Sequence, residues 1–371
     1  MQGKKVYFVS GDLGGYGDAM PVIKKLQELG TQILFFADPA GESQKKLDKA
    51  GIAYETRDPN ESDHPDLILI GVSATAFNLQ VAWTKFGREK GIPVFWVEDM
   101  YATSARPPVR ESLAGTEPNV IFAIDEIAAS LAGKAYPGAE ILACGKTSFE
   151  GLGVLREKKE EIRSAVRSKA KIGQDDFLVT FWSGGTSLER VRAQVKTIIS
   201  SAAEVLDDVI IAPRFHPKLA RFGENVLAEL WSETIEMSKG APPVSLVDLR
   251  NETPENIILA SSITIGDWGG NESLRSIVLG TPAIVTLFPD DDVNVRLGMG
   301  YKDGIPPLVQ TGAAPGPKNQ KDLEDNFYDV FLRDGNPEAE KQFLEKVSPF
   351  LTLGEPGATQ KIVEAIAARL G

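Results

Sequence analysis

The 371-residue sequence has little cysteine, little histidine and no long apolar run. Its single cysteine, Cys144, excludes an intrachain disulfide and a cysteine-rich metal site, and it is compatible with a reducing compartment. The first apolar segment is only a few residues long and is followed by a turn, so neither a signal peptide nor a membrane span is predicted. These absences predict a cytoplasmic protein without an integral membrane segment.

The sequence also has fewer basic than acidic residues. It contains 40 lysines and arginines and 52 aspartates and glutamates, which gives a formal net charge of −12. An acidic surface argues against nucleic acid or an anionic membrane as a general partner. The hydrophobic share of 42% and the charged share of 25% are ordinary for a globular protein of two or three domains.

Several ligand-binding motifs are missing. The glycine-rich loops do not match the phosphate loop of nucleoside triphosphatases, because none of them is followed by Gly-Lys-Ser/Thr. Residues 11–17 lack the Gly-x-Gly-x-x-Gly pattern of dinucleotide-binding dehydrogenases. The acidic run at residues 290–292 is interpreted as a solvated loop, because adjacent side chains do not all point one way. No metal site is therefore predicted.

Strand-like and helix-like segments alternate along the chain, which is typical of α/β proteins with parallel sheets. Six apolar segments in the first half predict one Rossmann-like, doubly wound domain over residues 1–150; they are residues 5–10, 32–37, 67–72, 93–98, 120–124 and 140–144. The order of strand, glycine turn and helix restarts at residues 177–182, which predicts a second such domain over residues 151–355. An amphipathic helix in residues 356–371 is expected to pack back on the first domain.

The segment at residues 261–286 is the most informative part of the second half. A β-branched run at residues 263–265 predicts a buried strand, and Gly269 and Gly270 predict a turn before a helix that opens with Asn271. A helix N-terminus at the carboxyl end of a parallel strand favours a phosphate-bearing ligand. The same pattern occurs at residues 183–186. The candidate ligand contacts in these two turns are Gly184, Gly185, Thr186, Gly269, Gly270, Asn271, Glu272 and Ser273.

Three stretches resemble enzymes that act on nucleotide sugars. GGYGDAMPVIKKLQELG is similar to the glycine-rich acceptor-side loop of the N-acetylglucosaminyltransferase that makes the cell-wall lipid precursor. PDLILIGVSATAF and IPVFWVEDMYATSARP resemble the non-hydrolysing UDP-N-acetylglucosamine epimerases, whose histidine-and-arginine segment has no match here. FLVTFWSGGTS and DWGGNESLRSIVLGTPAIV resemble the nucleotide-binding half of both groups.

This resemblance implies the GT-B architecture, in which two Rossmann-like domains face each other across a cleft and a C-terminal helix returns to the first domain. It implies that the second domain binds the nucleotide-sugar donor and the first domain the acceptor. Residues 11–18 are interpreted as a glycine-rich loop before a helix that begins at Pro21, and Gly14 and Gly15 in this loop are then candidate ligand contacts on the acceptor side.

His216 is the histidine with the stronger functional signal. It follows a predicted strand, lies between Arg214 and Lys218, and precedes Pro217, so it is a candidate donor to a diphosphate. The alternative is a strand-end histidine that packs against a neighbouring loop. The His-Pro pair also resembles transferases that use cytidine nucleotides, so a CMP- or CDP-type donor stays open beside UDP. His64 is interpreted as a solvated turn residue.

The function expected from this resemblance is metal-independent glycosyl transfer from a nucleotide sugar, with UDP-sugar as the expected donor and no separate cofactor. The acceptor hydroxyl would belong to a sugar, a lipid-linked molecule or a small molecule. Its deprotonation suits a carboxylate at the carboxyl end of a first-domain strand, and Asp12, Asp18 and Asp99 are the candidates, with helix capping as their alternative role. An epimerase or hydrolase acting on the same donors, or a non-catalytic binding subunit, are the alternative functions.

Overall fold

The computed structural model describes residues 1–185, 187–268, 270–288, 293–334 and 336–370. The chain forms two compact units. The first comprises Met1–Glu150, Asn294–Ile305 and Glu355–Gly371, and the second comprises Gly151–Val293 and Pro306–Gly354. That the chain divides into independently folding domains after residues 150 and 355 stays a prediction.

The first unit is built on a parallel sheet in the order β3-β2-β1-β4-β5-β6-β7. Its strands are β1 (Lys5–Ser10), β2 (Gln32–Ala37), β3 (Tyr54–Glu55), β4 (Leu67–Gly71), β5 (Val94–Val97), β6 (Val120–Ala123) and β7 (Glu140–Ala143). Its helices are α1 (Leu13–Glu28), α2 (Ser43–Ala50), α3 (Asn78–Lys90), α4 (Pro107–Leu113), α5 (Glu126–Ala135) and α16 (Ala358–Leu370). Apolar side chains pack on both faces of the sheet.

The second unit has a parallel sheet in the order β10-β9-β8-β11-β12. Its strands are β8 (Leu178–Trp182), β9 (Val209–Arg214), β10 (Val244–Leu246), β11 (Ile263–Asp267) and β12 (Ala283–Thr286). Its helices are α6 (Leu152–Glu157), α7 (Lys159–Ala170), α8 (Leu188–Val205), α9 (Val226–Lys239), α10 (Pro254–Ala260), α11 (Asn271–Val278), α13 (Pro307–Gln310), α14 (Gln320–Phe331) and α15 (Pro337–Leu351). Helix α12 (Val293–Gly298) begins one residue before the chain re-enters the first unit.

The predicted α/β class with two doubly wound parallel sheets is confirmed. In each sheet the strand order reverses between two adjacent strands, which are β1 and β4 in the first unit and β8 and β11 in the second. Loops that follow such a strand pair diverge to opposite faces and leave a crevice at the carboxyl edge, where ligands of these sheets bind.

The edge strand β12 is covered by an irregular segment of the same unit. The N–H groups of Val285 and Leu287 donate to the carbonyl oxygens of Pro315 and Pro317, both at 3.0 Å. Because proline has no N–H, this segment accepts hydrogen bonds from β12 but returns none at these two residues.

The predicted return of the C-terminal helix to the first unit is also confirmed. Ile362, Val363 and Ile366 of α16 are buried in the core on one face of the first sheet. The carboxylate of Glu150 accepts hydrogen bonds from the N–H groups of Gly357, at 2.8 Å, and Thr359, at 2.9 Å. This side chain therefore stabilises the beginning of α16 from outside the helix.

The glycine-rich segment near the N-terminus differs from its predicted form. Residues 11–18 were expected to be a loop before a helix starting at Pro21, but α1 begins at Leu13, so Gly14 and Gly15 are helical. The reason is a close approach to β4. A Cβ atom at Gly15 would lie 2.2 Å from the carbonyl oxygen of Val72, so only glycine lets the first turns of α1 pack on this strand end.

We predict opposite effects for alanine at two glycines of α1. Gly15→Ala should lower the free energy of unfolding by roughly 1–3 kcal/mol, because its methyl group would overlap backbone atoms. Gly17→Ala is the matched control. A Cβ atom at Gly17 would meet nothing within 4 Å, so this variant should be about 0.5–1 kcal/mol more stable than the parent. Urea unfolding measures both; a Gly15→Ala variant as stable as the parent would contradict the close approach.

Candidate functional site

The crevice of the second sheet lies between the loops that follow β8 and β11. Trp182 at the end of β8 is paired with Gly266 of β11, so the two loops start side by side. Gly184 and Gly185 are in the first loop, and Asp267 ends β11 just before the second. The structure therefore brings the two predicted glycine turns together at one edge.

Two glycines of the first loop pack tightly against charged or polar side chains. A Cβ atom at Gly184 would lie 2.2 Å from Oδ2 of Asp267, and one at Gly185 would lie 2.9 Å from Nδ1 of His216. Larger residues at these positions would push the loop away from both neighbours. The loop backbone is thus held between a carboxylate and an imidazole.

The structure places His216 directly beside this loop. Its backbone N–H donates to Oγ of Ser183 at 2.9 Å, and its Nδ1 accepts from the N–H of Lys218 at 3.0 Å. Because Nδ1 accepts a hydrogen bond, the proton of the neutral ring lies on Nε2. The His-Pro segment thus fixes both the position and the tautomer of the imidazole.

Arg214 is half-buried at the end of β9. Its guanidinium lies 5.5 Å from the ring centre of Trp182, and its Nη1 donates to the carbonyl oxygen of Leu249 at 3.0 Å. Burial lowers the pKa of Arg214, while the carboxylates of Glu272 and Asp248 act in the opposite direction. This cation is therefore held in place by an aromatic ring and a carbonyl oxygen.

The N-terminus of α11 forms the other side of the crevice. Ser273 Oγ and Asn271 Oδ1 are both buried, and within the described part of the chain neither has a hydrogen-bond partner. Glu272 is held by Arg275, whose Nη1 lies 2.9 Å from its carboxylate. Glu272 therefore contacts a cation of its own helix, whereas the buried Ser273 hydroxyl has capacity to bind a ligand.

A network at the base of the crevice was missed by the sequence analysis. Asp267 accepts hydrogen bonds from Nη2 of Arg190 and Nε2 of Gln194, both at 2.8 Å. Arg190 also lies 5.8 Å from the ring centre of Trp268, which has a left-handed backbone with a φ of 58°. Arg190 and Gln194 are four residues apart on α8, and this spacing was the signal available in the sequence.

Thr186 and Gly269, two of the predicted ligand contacts, lie outside the described residues, as does the acidic run at residues 290–292. Lys218 is half-buried beside Gly185: a Cβ atom at Gly185 would lie 3.2 Å from Cβ of Lys218. The remaining predicted contacts of the second unit therefore lie in the two loops, at the end of β9 and in its His-Pro segment, or in the first turn of α11.

In the first unit, Asp12 bridges the corresponding crevice. It follows β1, and its carboxylate accepts hydrogen bonds from the N–H groups of Ala74, at 2.8 Å, and Thr75, at 2.9 Å, and from the Thr75 hydroxyl at 2.6 Å. These donors belong to the loop after β4. Asp12 therefore holds the two loops of the reversal point together.

Asp18 does not lie in a loop, contrary to expectation. It is inside α1 and 2% exposed, and it forms an ion pair with the buried Lys146 at 2.5 Å. The N–H of Ser148 also donates to it, at 3.0 Å. Because its carboxylate is enclosed and paired, Asp18 anchors the segment after β7 and is poorly placed to remove a proton from a substrate.

Asp99 follows β5 and is half-buried. Its Oδ1 accepts from the hydroxyl of Thr103 at 2.8 Å. Burial raises the pKa of Asp99, the nearby Lys146 ammonium lowers it, and Asp18 and Asp12 raise it further. A Cβ atom at Gly14 would lie 1.9 Å from Oδ2, so Gly14 makes room for this carboxylate. Of the three predicted aspartates, Asp99 retains the most suitable environment for proton transfer.

Glu98, beside Asp99, was not identified from the sequence. It is 1% exposed, and Ser104 donates to its Oε1 through both the N–H, at 3.1 Å, and the hydroxyl. Within the described residues its Oε2 has no hydrogen-bond partner. Burial raises the pKa of Glu98 to about 7. The only available sequence signal was its place at the end of a strand.

No group of three or more His, Cys, Asp or Glu side chains in the described part of the chain is arranged to hold a metal ion. Among the same residues, no helix is both long and apolar enough to cross a membrane.

Neither a protein-family model nor a curated protein matches the sequence. Solved structures do match. UDP-GlcNAc 2-epimerase from Neisseria meningitidis, bound to UDP-GlcNAc, is 16% identical with a TM-score of 0.63 over 98% of this chain and 100% of that chain. Anabaena HepE, in complex with UDP and glucose, is 10% identical with a TM-score of 0.63 over 98% and 100%. A glycosyltransferase from Rickettsia africae is 13% identical with a TM-score of 0.60 over 99% of each chain.

The chain has the GT-B fold. The likeness covers nearly the full length of both partners, so both units of this GT-B chain have counterparts in each of the three proteins. At these identities the likeness concerns the fold, and the chemistry must be argued from the side chains.

We predict that Glu98 makes stability depend on pH. Its pKa is about 7 in the folded protein against an ordinary value of 4.5, so the unfolded chain releases the proton first as pH rises. The free energy of unfolding should therefore fall by roughly 3 kcal/mol from below pH 4.5 to above pH 7 on account of this group. The Glu98→Gln variant should lack this pH-dependent part of the free energy of unfolding.

Urea unfolding at a series of pH values measures the effect. The control is Glu89→Gln, which removes an exposed carboxylate from α3 and should keep the pH dependence of the parent. If Glu98→Gln follows the parent curve at every pH, then Glu98 does not titrate in this range.

Proposed function

We propose that this protein is a nucleotide-sugar enzyme that binds the diphosphate of its substrate at the carboxyl edge of the second sheet. The observation that carries the proposal is the convergence of His216, the Gly184–Gly185 backbone and the N-terminus of α11 at the reversal point between β8 and β11. Two of the similar structures contain UDP or UDP-GlcNAc, which supports a uridine nucleotide. The single, buried cysteine supports a reducing, cytoplasmic setting.

The proposed contacts follow from the chemistry of a diphosphate. Backbone N–H groups of the glycine loop and the positive end of α11 favour a phosphate group, and the buried Ser273 hydroxyl supplies a further donor. His216 donates through Nε2, because its Nδ1 already accepts from Lys218. In the proposed reaction these groups stabilise the negative charge that develops on the leaving phosphate.

We propose glycosyl transfer as the reaction, with Asp99 as the base that takes the proton of the acceptor hydroxyl. Asp99 is supported over Asp12 and Asp18 because those two carboxylates hold a loop and a lysine, respectively. Charge stabilisation is assigned to the chain's own donors and cations. The acceptor would be a sugar, a lipid-linked molecule or a small molecule.

An epimerase or hydrolase on the same donor is the second candidate, and one observation favours it. One similar structure is a UDP-GlcNAc 2-epimerase. UDP release separates the candidates. A transferase releases UDP only when an acceptor is present, whereas a hydrolase releases it without one and an epimerase converts the sugar while the nucleotide stays attached.

A non-catalytic binding subunit would be indicated by the absence of any turnover. Incubation of the purified protein with UDP-sugars, with and without acceptors, followed by separation of the nucleotides, tests all three functions.

We predict that His216→Ala weakens binding of UDP or a UDP-sugar about ten- to hundredfold, because it removes a charge-assisted hydrogen bond worth roughly 1.5–3 kcal/mol. Isothermal titration calorimetry measures the affinity, and thermal unfolding without ligand checks the fold. His64→Ala is the matched control, since His64 is exposed in the first unit. Unchanged affinity in a folded His216→Ala protein would remove His216 from the site.

A further inference from the structure

The second unit contains a cavity of about 830 Å³ that the proposed function does not use. It is lined by residues at the beginnings of β11 and β12, including Ser261, Ser262 and Ala283. In a parallel sheet all strands begin at the same edge, so the cavity lies at the opposite edge of the sheet from His216 and the glycine loop. Its volume is in the range of cavities that bind small organic molecules.

Two half-buried cations belong to the wall of the cavity. Lys159 and Arg163, one turn apart on α7, both line it and are half-buried. Arg167 follows on the same face; it is fully buried, and its guanidinium donates to carbonyl oxygens, among them that of Ala260 at 2.9 Å. Burial and the neighbouring Arg163 together lower the pKa of Arg167 to about 10. Arg163 and Arg167 therefore repel each other at the cavity wall.

The whole lining carries five carboxylates and four cations, but these charged side chains differ in burial. Lys159 pairs with the exposed Glu340 at 2.9 Å, whereas Arg163 makes a long hydrogen bond of 3.5 Å to the carbonyl oxygen of Ser261. The acidic side chains of the lining are all exposed, so they can turn to solvent; they are Glu160, Asp175, Asp329, Asp334 and Glu340. The half-buried charges that face the cavity are thus both cations.

One part of the lining is apolar and is formed by Ala313, Ala314 and Phe343, and the small alanine side chains leave space there. Polar side chains also line the cavity, among them Gln174, Asn326 and Gln342. One backbone donor also faces this side. Val285 and Leu287 direct their N–H groups to the segment beside β12, and by strand alternation Ala283 does the same. No carbonyl oxygen of the described chain accepts the Ala283 N–H.

We propose that this cavity binds a small organic anion with an apolar body, whose acidic group pairs with Arg163 and whose apolar part packs on Ala313, Ala314 and Phe343. The pairing would relieve the repulsion along α7, and the apolar part of the lining would favour an organic body over a purely inorganic ion. This site is separate from the proposed nucleotide site, and neither depends on the other.

The probe for the test is anilinonaphthalene sulfonate, which combines an aromatic body with one sulfonate and fluoresces when it enters an apolar environment. Titration with saturating UDP present should show one bound probe. Arg163→Met should weaken probe binding about tenfold, the loss expected for one charge-assisted contact. Lys169→Met is the matched control, because it removes one positive charge from α7 at a residue outside the lining, and it should bind the probe as the parent does.

A second variant tests the cavity itself. Ala339→Phe should fill part of the space, reduce probe binding and leave the thermal unfolding temperature at or above that of the parent. The proposal is overturned if Arg163→Met and Lys169→Met bind the probe equally, if Ala339→Phe binds it as the parent does, or if UDP displaces it. Failure of UDP to bind would instead count against the proposed function and leave the Arg163 comparison interpretable.

Discussion

The reversal of strand order in each sheet is the constraint on which the rest of the structure depends. Because β8 and β11 are neighbours whose following helices go to opposite faces, the loops after them cannot close over each other, and a crevice results. Gly184, Gly185 and His216 meet there only because the sheet brings three strand ends together. Asp12 occupies the equivalent position in the first sheet and joins the loops after β1 and β4.

Buried charge pairs hold both crevices in shape. Asp18 and Lys146 in the first unit, and Arg190 and Asp267 in the second, are nearly inaccessible to water. Removing such ions from water is costly, so these pairs are weak evidence for extra stability. Their stronger effect is on geometry. A loop arrangement that separated the two ions would leave a buried charge unpaired, which is far more costly, so each pair favours the arrangement that keeps its ions together.

Features with a local signal were predictable from the sequence. Apolar runs marked the strands, and the His-Pro segment marked the end of β9 beside the glycine turn. Features that depend on contacts distant in sequence were not predictable. Three glycines and Pro21 argued against a helix before residue 21, yet packing of Gly15 on β4 extends α1 to Leu13. Asp18 was placed in a loop for the same reason.

The burial of Glu98 and the pairing of Asp267 with Arg190 could not be predicted either, because each depends on a partner or an enclosure that no local pattern encodes. The cavity beside α7 could not be predicted either, because its wall is formed by residues that are far apart in the sequence. Its wall combines residues from α7, the beginnings of two strands and two helices near the end of the second unit.

The proline-containing segment beside β12 has a consequence for self-association. An exposed strand edge invites the β-strand of another molecule, which is a common route to aggregation. Here the carbonyl oxygens of Pro315 and Pro317, in an irregular segment, accept hydrogen bonds from the N–H groups of Val285 and Leu287 along β12. At the opposite edge of the sheet, β10 is only three residues long. The first sheet ends in β3, which has two residues, at one edge and in β7, which has four, at the other. Short or covered edges give an incoming strand little to pair with, so the protein should resist edge-to-edge polymerisation at high concentration.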